Sequence, residues 1–196
     1  MRLGTPKQLL ALDGRTMVRS AVEVALAAAE GFAVSASLAQ DGAQLTLPGP
    51  VFVVLGAAAP QVREELRGLH VREVLNERWQ EGLATSIVAG VGAAEAEGVE
   101  AVLFTTCDQP LVTADDLAGL LAVYGASRAL IVAAHYERAL GIPALFDRAL
   151  FGELRDLTGD AGAKRVIEGH LDRAIRVPCA HAAFDVDTAE AWERLT

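Results

Sequence analysis

Three carboxylates carry the first chemical suggestion in this chain. Asp108 closes the apolar run 101–107 and is followed by Gln109 and Pro110, so it stands where a strand gives way to a stiffened turn. In open α/β sheets, ligands bind beyond the carboxyl ends of the strands. A carboxylate there can hold Mg²⁺ over a triphosphate, although position alone also fits a plain turn aspartate. Asp185 and Asp187 form a second acidic source, one residue apart and just ahead of Thr188. Alternate residues of an extended segment point the same way, so both can face one site. Singly, each also reads as ordinary charge near a helix N-terminus. Two separated carboxylate sources converging on one metal are what phosphoryl and nucleotidyl transfer commonly use.

Lys7 follows Gly4-Thr5-Pro6 and precedes an apolar, helix-forming stretch. A lysine beside a glycine turn can grip phosphate oxygens and offset charge that develops in a transition state. Taken alone it is an exposed residue near a chain terminus, and only its neighbours alter that. Cys107 adjoins Asp108, and a neighbouring carboxylate raises a thiol pKa, so it reads as a packing residue rather than a nucleophile. Cys107 and Cys179 have no CxxC spacing, which speaks against a disulfide scaffold or structural zinc. His70, His135, His170 and His181 form no Ser-His-Asp or Cys-His arrangement.

The elements that must position these groups alternate. Strand-like apolar runs fall at 51–55, 71–75, 101–105, 130–134 and 174–177, and helix-like stretches at 17–29, 58–69, 84–97 and 114–124. Strand, helix, strand in repetition is the pattern of a parallel sheet covered on both faces. Val102-Leu103-Phe104 predicts a strand buried on both sides. The whole of 1–196 reads as a single domain, with 31–50 a long loop or small hairpin insertion. Of the 196 residues 52% are hydrophobic and only 5% aromatic, which suits closely packed helices on a sheet. Seventeen basic against 26 acidic residues give a net charge of −9, unsuited to neutralising a nucleic-acid duplex. Neither a membrane span nor a signal peptide is legible, and a reducing cytoplasm is the expected setting.

Several motifs in order resemble one family. Arg2-Leu-Gly4-Thr-Pro-Lys7-Gln-Leu-Leu10, Asn76-Glu-Arg-Trp79-Gln-Glu-Gly82-Leu-Ala-Thr-Ser86, Cys107-Asp108-Gln109-Pro110, Gly141-Ile-Pro143, Gly159-Asp160-Ala-Gly162 and Asp185-Val-Asp187-Thr188 are similar to the molybdenum cofactor nucleotidyltransferases. They cover most of the chain outside 31–50. The resemblance implies a three-layer α/β/α Rossmann-like nucleotidyltransferase fold with a mostly parallel sheet. It implies transfer of CMP from CTP to a phosphorylated acceptor, molybdopterin or a related cofactor, with Mg²⁺ as cofactor and a molybdoenzyme as partner. Arg2, Gly4 and Lys7 would bind the triphosphate, and Asn76, Gly82 and Ser86 would approach base and sugar. Asp108 with Asp185 or Asp187 would ligate the metal, Lys7 and Asp108 being the catalytic pair. Gly159, Asp160 and Gly162 would lie near the acceptor. On their own these three also read as a turn before a helix.

Two departures accompany the match. The family opens with a hydrophobic strand and a turn of the form Leu-Ala-Ala-Gly-x-Ser before the position of Arg2, and here the match starts mid-motif. A central strand is then expected to be missing from the sheet and its place taken by an upstream segment, by 34–39, or by a second chain; the upstream segment is the expectation. Ile142 stands where many relatives carry histidine, so any polar contact made through that histidine is lost. Two other functions fit much of the same pattern: a sugar or alditol-phosphate nucleotidyltransferase, and a non-catalytic cofactor-binding accessory protein.

Overall fold

The computed structural model describes residues 6–38 and 49–195. After a single turn at 7–9, a small hairpin of β1 (Ala11–Leu12) and β2 (Arg15–Thr16) leads into the long helix α1 (Met17–Leu38). The chain then runs β3 (Phe52–Leu55), α2 (Ala59–Glu65), β4 (Arg72–Leu75), α3 (Leu83–Ala96), β5 (Ala101–Phe104) and α4 (Ala114–Ser127). It continues through β6 (Ile131–Tyr136), β7 (Ala139–Asp147), α5 (Phe151–Arg155), α6 (Lys164–Gly169), β8 (Ala174–Pro178) and α7 (Ala189–Glu193).

The alternation expected from the sequence is present, and period-two burial explains the layers. On β6, Ile131 and Ala133 join one core cluster with residues of α3, α5 and α6, while Val132 and Ala134 join another with α4 and Ala28 of α1. Successive side chains of a strand point to opposite faces, so one sheet is covered by helices on both sides. That is the three-layer Rossmann-like arrangement. α4 starts at a reciprocal capping box, Thr113 with Asp116, which satisfies two backbone donors at its first turn.

β7 is the strand that the sequence did not announce. It lies antiparallel between β5 and β6, with β8 parallel to β6 beyond. Its Gly141-Ile142-Pro143 reads locally as a turn, because proline cannot donate to a ladder. The register shows how it is tolerated: Ala133 pairs with Ala144 and Ala134 with Gly141, so Ile142 and Pro143 bulge out of the pairing. Phe146 anchors the strand, fully buried and edge-on to Phe104 at 5.8 Å between ring centres.

Two expectations change. Residues 31–38 are neither loop nor hairpin but the last turns of α1, so the strand considered at 34–39 is not formed over 34–38. An alanine-rich sequence sustains a helix past the one glycine at 31, at a cost of about 1 kcal/mol. Residues 39–48 lie outside the described residues. Second, Val102-Leu103-Phe104 are only partly buried. Among the described residues β3 pairs with β4 alone and β5 with β7 alone, so the sheet is in two pieces.

Because Phe146 is fully buried in the core, Phe146→Ala should destabilise the protein by about 3–5 kcal/mol, read as a lowered urea midpoint with unchanged m-value.

Candidate active site

The site is built from the turn that follows β5. Gln109 is buried, and its Nε2 donates to Ile142 O at 3.0 Å and to Ala182 O at 2.8 Å. Ile142 O is available because the bulge in β7 takes it out of the ladder; Tyr136 Oη donates to it as well, at 3.2 Å. Val186 N donates to Asp108 O at 2.8 Å. The turn carrying Asp108 and the segment carrying Asp185 and Asp187 are thereby fastened together, with Val186 buried between the two acidic side chains.

Lys7 arrives from the opposite side. Its turn is closed by Leu9 N on Pro6 O at 2.9 Å, and Leu9 packs against the cluster containing Val53, Leu55 and Cys107. The ammonium donates to Asp108 Oδ2 at 2.6 Å and to Asp187 Oδ1 at 2.8 Å. Those two oxygens share one nitrogen and so stand no further apart than the two contacts end to end. Burial alone would lower the Lys7 pKa, but its bonds to Asp108 and Asp187 outweigh that and raise it. Burial pushes Asp108 the other way, upward, and the Lys7 and Thr106 hydrogen bonds override it, so its carboxyl lies below the usual range. Asp185 is raised, first by burial and then by the charges of Asp108 and Asp187. Two carboxylates thus hold one cation, and Asp185 is near enough to feel their charge. Cys107 is pushed up to about 11 by burial and by Asp108, and it packs under Leu9 as a neutral thiol.

The other expected residues form a second group. Asn76 is buried; its Nδ2 donates to Thr85 Oγ1 at 2.8 Å and Ser86 Oγ at 3.0 Å, and its Oδ1 accepts from Arg78 N at 3.0 Å. Its amide is engaged within the protein, fixing Ser86 at the start of α3. Gly82, at φ 111°, lies so close to another backbone that an added Cβ would stand 2.3 Å from Gly159 O. Ala84 N donates to that same oxygen at 3.0 Å, so the loops 76–82 and 159–162 are locked together. Gly162 faces Leu83 across this junction. Asp160 is exposed. Ser86, Gly162 and Cys107 line one cavity of about 850 Å³. Arg2 and Gly4 lie outside the described residues. Among those described, no three His, Cys, Asp or Glu side chains gather as a ready metal-binding group.

A family model for a MobA-like NTP transferase domain matches residues 1–174. The chain belongs to this nucleotidyltransferase family. It is 30% identical over 205 residues to the nicotine blue oxidoreductase of Paenarthrobacter nicotinovorans, covering 99% of this chain and 90% of that protein. Among solved structures it is similar to the homologue of Mycobacterium tuberculosis Rv0371c from Mycobacterium sp. strain JC1, with TM-score 0.76 and 28% identity over 99% of this chain and 88% of that one. It is similar also to Rv0371c of M. tuberculosis H37Rv in complex with manganese, with TM-score 0.72 and 25% identity over 98% and 92% of the two chains. The transferase family and the Rossmann-like fold agree with the reading from the motifs. No helix among the described residues is long and apolar enough to cross a membrane.

Gln109 and Tyr136 escaped the sequence reading as functional supports. Gln109 was visible in the Cys-Asp-Gln-Pro motif, but nothing local says that its amide reaches Ile142 and Ala182, 33 and 73 residues away. No sequence signal marks Tyr136.

Replacing Gly82 by alanine sets a Cβ against backbone at a φ that side chains avoid; it should separate the two loops and lower the melting temperature, whereas Gly92→Ala, with open space around it, should not. A second expectation concerns charge. Asp185 has a raised folded-state pKa, so its ionisation opposes folding once the pH exceeds the value in the unfolded chain, about 3.9. Asp185→Asn should therefore melt higher than the parent at pH 7 in metal-free buffer, and the gap should close as the pH falls below about 4.

Proposed function

We propose that this protein is a cytidylyltransferase that joins CMP from CTP to the phosphate of a phosphorylated small molecule, molybdopterin being the acceptor, with release of pyrophosphate. The observation that carries the reading is the ammonium of Lys7 held between Asp108 and Asp187, two carboxylates from separate segments at the carboxyl ends of the strands.

The donor set suits a hard divalent ion such as Mg²⁺, which takes oxygen ligands from one or two carboxylates and completes its shell with substrate phosphates and water. Asp108 and Asp187 supply those oxygens, with Asp185 adding charge nearby, and the manganese complex of Rv0371c is of a relative with the same fold. When bound, the ion would neutralise triphosphate charge and polarise the phosphoryl group. Lys7 now lies against both carboxylates. With a nucleotide present its ammonium can turn to the phosphate oxygens, where its raised pKa keeps it cationic through neutral pH. A phosphate oxygen of the acceptor attacks the α-phosphorus, the α–β P–O bond breaks, and pyrophosphate carries away the electron pair. The attacking phosphate is already anionic near neutral pH, so no general base is required.

Arg2 and Gly4 would extend the grip on the triphosphate. Asn76 holds the Ser86 hydroxyl in position to meet base or sugar, and Gly82 shapes the wall beside it. Gly159, Asp160 and Gly162 form the rim on the acceptor side. This is a reaction between small molecules in the cytoplasm, with a molybdoenzyme as the recipient of the product. A second reading, oxidoreduction, is favoured by one specific observation, the 30% identity with nicotine blue oxidoreductase across 99% of this chain.

Incubation with CTP, acceptor and Mg²⁺ should release pyrophosphate in proportion to the metal, faster than with GTP. Lys7→Ala should lower kcat about 10²–10³-fold, the scale on which a single charge-stabilising donor acts, and Asp108→Asn should weaken the metal dependence. Tight CTP binding without pyrophosphate release would point to the accessory-protein function, and turnover of a redox substrate alone would point to the second reading.

A further inference from the structure

Trp79 is an aromatic side chain that the chemistry at Lys7 and Asp108 does not use, and it stands at the ligand end of the sheet. It belongs to the loop between β4 and α3, and its root packs on the loop that follows β3: a Cβ on Gly56 would lie 3.1 Å from Trp79 Cβ and 3.4 Å from its Cγ. A side chain at position 56 would push the indole away, so glycine there lets the ring settle by the carboxyl end of β3. Further along the same loop, Ala58 and Ala59 share a cluster with Leu9, two residues after Lys7, and with Cys107, which precedes Asp108. Trp79 and the Lys7–Asp108 pair thus border one loop, at the end of the sheet where α/β folds bind ligands.

Single exposed apolar residues are ordinary on a protein surface, and an exposure of 42% alone says little of Trp79. Its backbone, however, is held. Arg78 N donates to Asn76 Oδ1 and Thr85 Oγ1 donates to Arg78 O, each at 3.0 Å. Gly82, three residues on, is locked against Gly159. Among the described residues the indole N–H donates to no protein acceptor. Leu83, on the far side of Gly82, is 55% exposed and lines the cavity that Ser86 also lines. A firmly mounted flat ring with a free donor, beside a second open apolar side chain, suits a planar heteroaromatic ligand, which offers a face to stack and acceptors at its edge. A polyhydroxylated chain would call for several hydrogen-bonding side chains instead, and Trp79 and Leu83 supply one donor between them.

We propose that Trp79, seated on Gly56, is the stacking platform for a planar heteroaromatic ring of the substrates. Two sources offer such a ring: the base of the nucleoside triphosphate and a ring of the phosphorylated acceptor. The inference rests on the nucleotidyltransferase reading of this site and adds to it a recognition residue that meets a ring rather than the phosphates.

The chain has two tryptophans, Trp79 and Trp192, so labelling with fluorotryptophan gives two fluorine NMR resonances, and Trp79→Phe assigns them. The probes are CTP with Mg²⁺, hydroxymethylpterin and, as the ringless control, pyrophosphate with Mg²⁺; calorimetry records the affinity of each. A ring-bearing probe should shift the Trp79 resonance in proportion to its occupancy, while pyrophosphate leaves it in place. A shift with CTP assigns the donor base, and a shift with the pterin assigns the acceptor ring. Trp79→Leu keeps an apolar side chain without a stacking face. It should weaken that probe about 5- to 150-fold, the range of one base on one aromatic ring, with pyrophosphate affinity unchanged, and Trp79→Phe should recover most of the loss. The proposal is overturned if neither ring-bearing probe moves the resonance, whether or not it binds. It is overturned too if Trp79→Leu weakens pyrophosphate as much as the ring-bearing probe, the mark of a merely structural role. Pyrophosphate release from CTP with an unmoved Trp79 resonance would overturn it and leave the cytidylyltransferase reading standing. A moved resonance with no pyrophosphate release would do the reverse.

Discussion

The buried amide of Gln109 is the interaction on which the site rests. It ties the turn after β5 to a carbonyl of β7 and to Ala182, three segments remote in sequence. A neutral amide suits this position because it can donate twice without the desolvation penalty of a buried charge. The bulge at Ile142 and Pro143 is part of the same device, since it frees the carbonyl that Gln109 takes. Once these segments are fixed, the Val186 bond to Asp108 brings the second acidic segment alongside, and Lys7 finds two carboxylates within reach.

The electrostatics of that arrangement are unbalanced by design of the sequence. Asp108, Asp185 and Asp187 carry three negative charges against a single ammonium, in a chain whose net charge is −9. Lys7 satisfies two of them and Asp185 is left with a raised pKa. A site with surplus carboxylate charge is destabilising for the protein alone and favourable for a cation, which is the trade often found where binding groups are held in advance of their ligand. On the proposed function Lys7 would be exchangeable, because its partners would be the groups a divalent ion takes and its own charge the one phosphate oxygens draw. The loops 76–82 and 159–162 are treated differently. There the polar groups of Asn76 are spent within the protein, and Gly82 lets two backbones touch, so rigidity comes from packing of main chain on main chain.

The split sheet sets a second constraint. Among the described residues β3 pairs on one side with β4 and β5 on one side with β7, and residues of both strands line the cavity. Cys107 lines the cavity and packs, with Leu9 from the turn that carries Lys7, against one apolar cluster.

The sequence by itself determined the alternation of strands and helices, because apolar period and turn residues are local properties. It also determined the chemical inventory, since Asp108, Asp185, Asp187 and Lys7 were recognisable by type, by placement after strands and by motif. The long reach of α1 to Leu38 was legible in alanine content but masked by Gly31 and by the polar stretch that follows. Only the tertiary structure decided that β7 is a strand, because Pro143 forbids regular pairing and the bulge that accommodates it exists only opposite β6. Only the tertiary structure could turn Gln109 from a turn residue into the clamp of the site, or show that Gly82 approaches Gly159. These contacts join residues tens of positions apart, and no local pattern encodes which partners a fold will bring together.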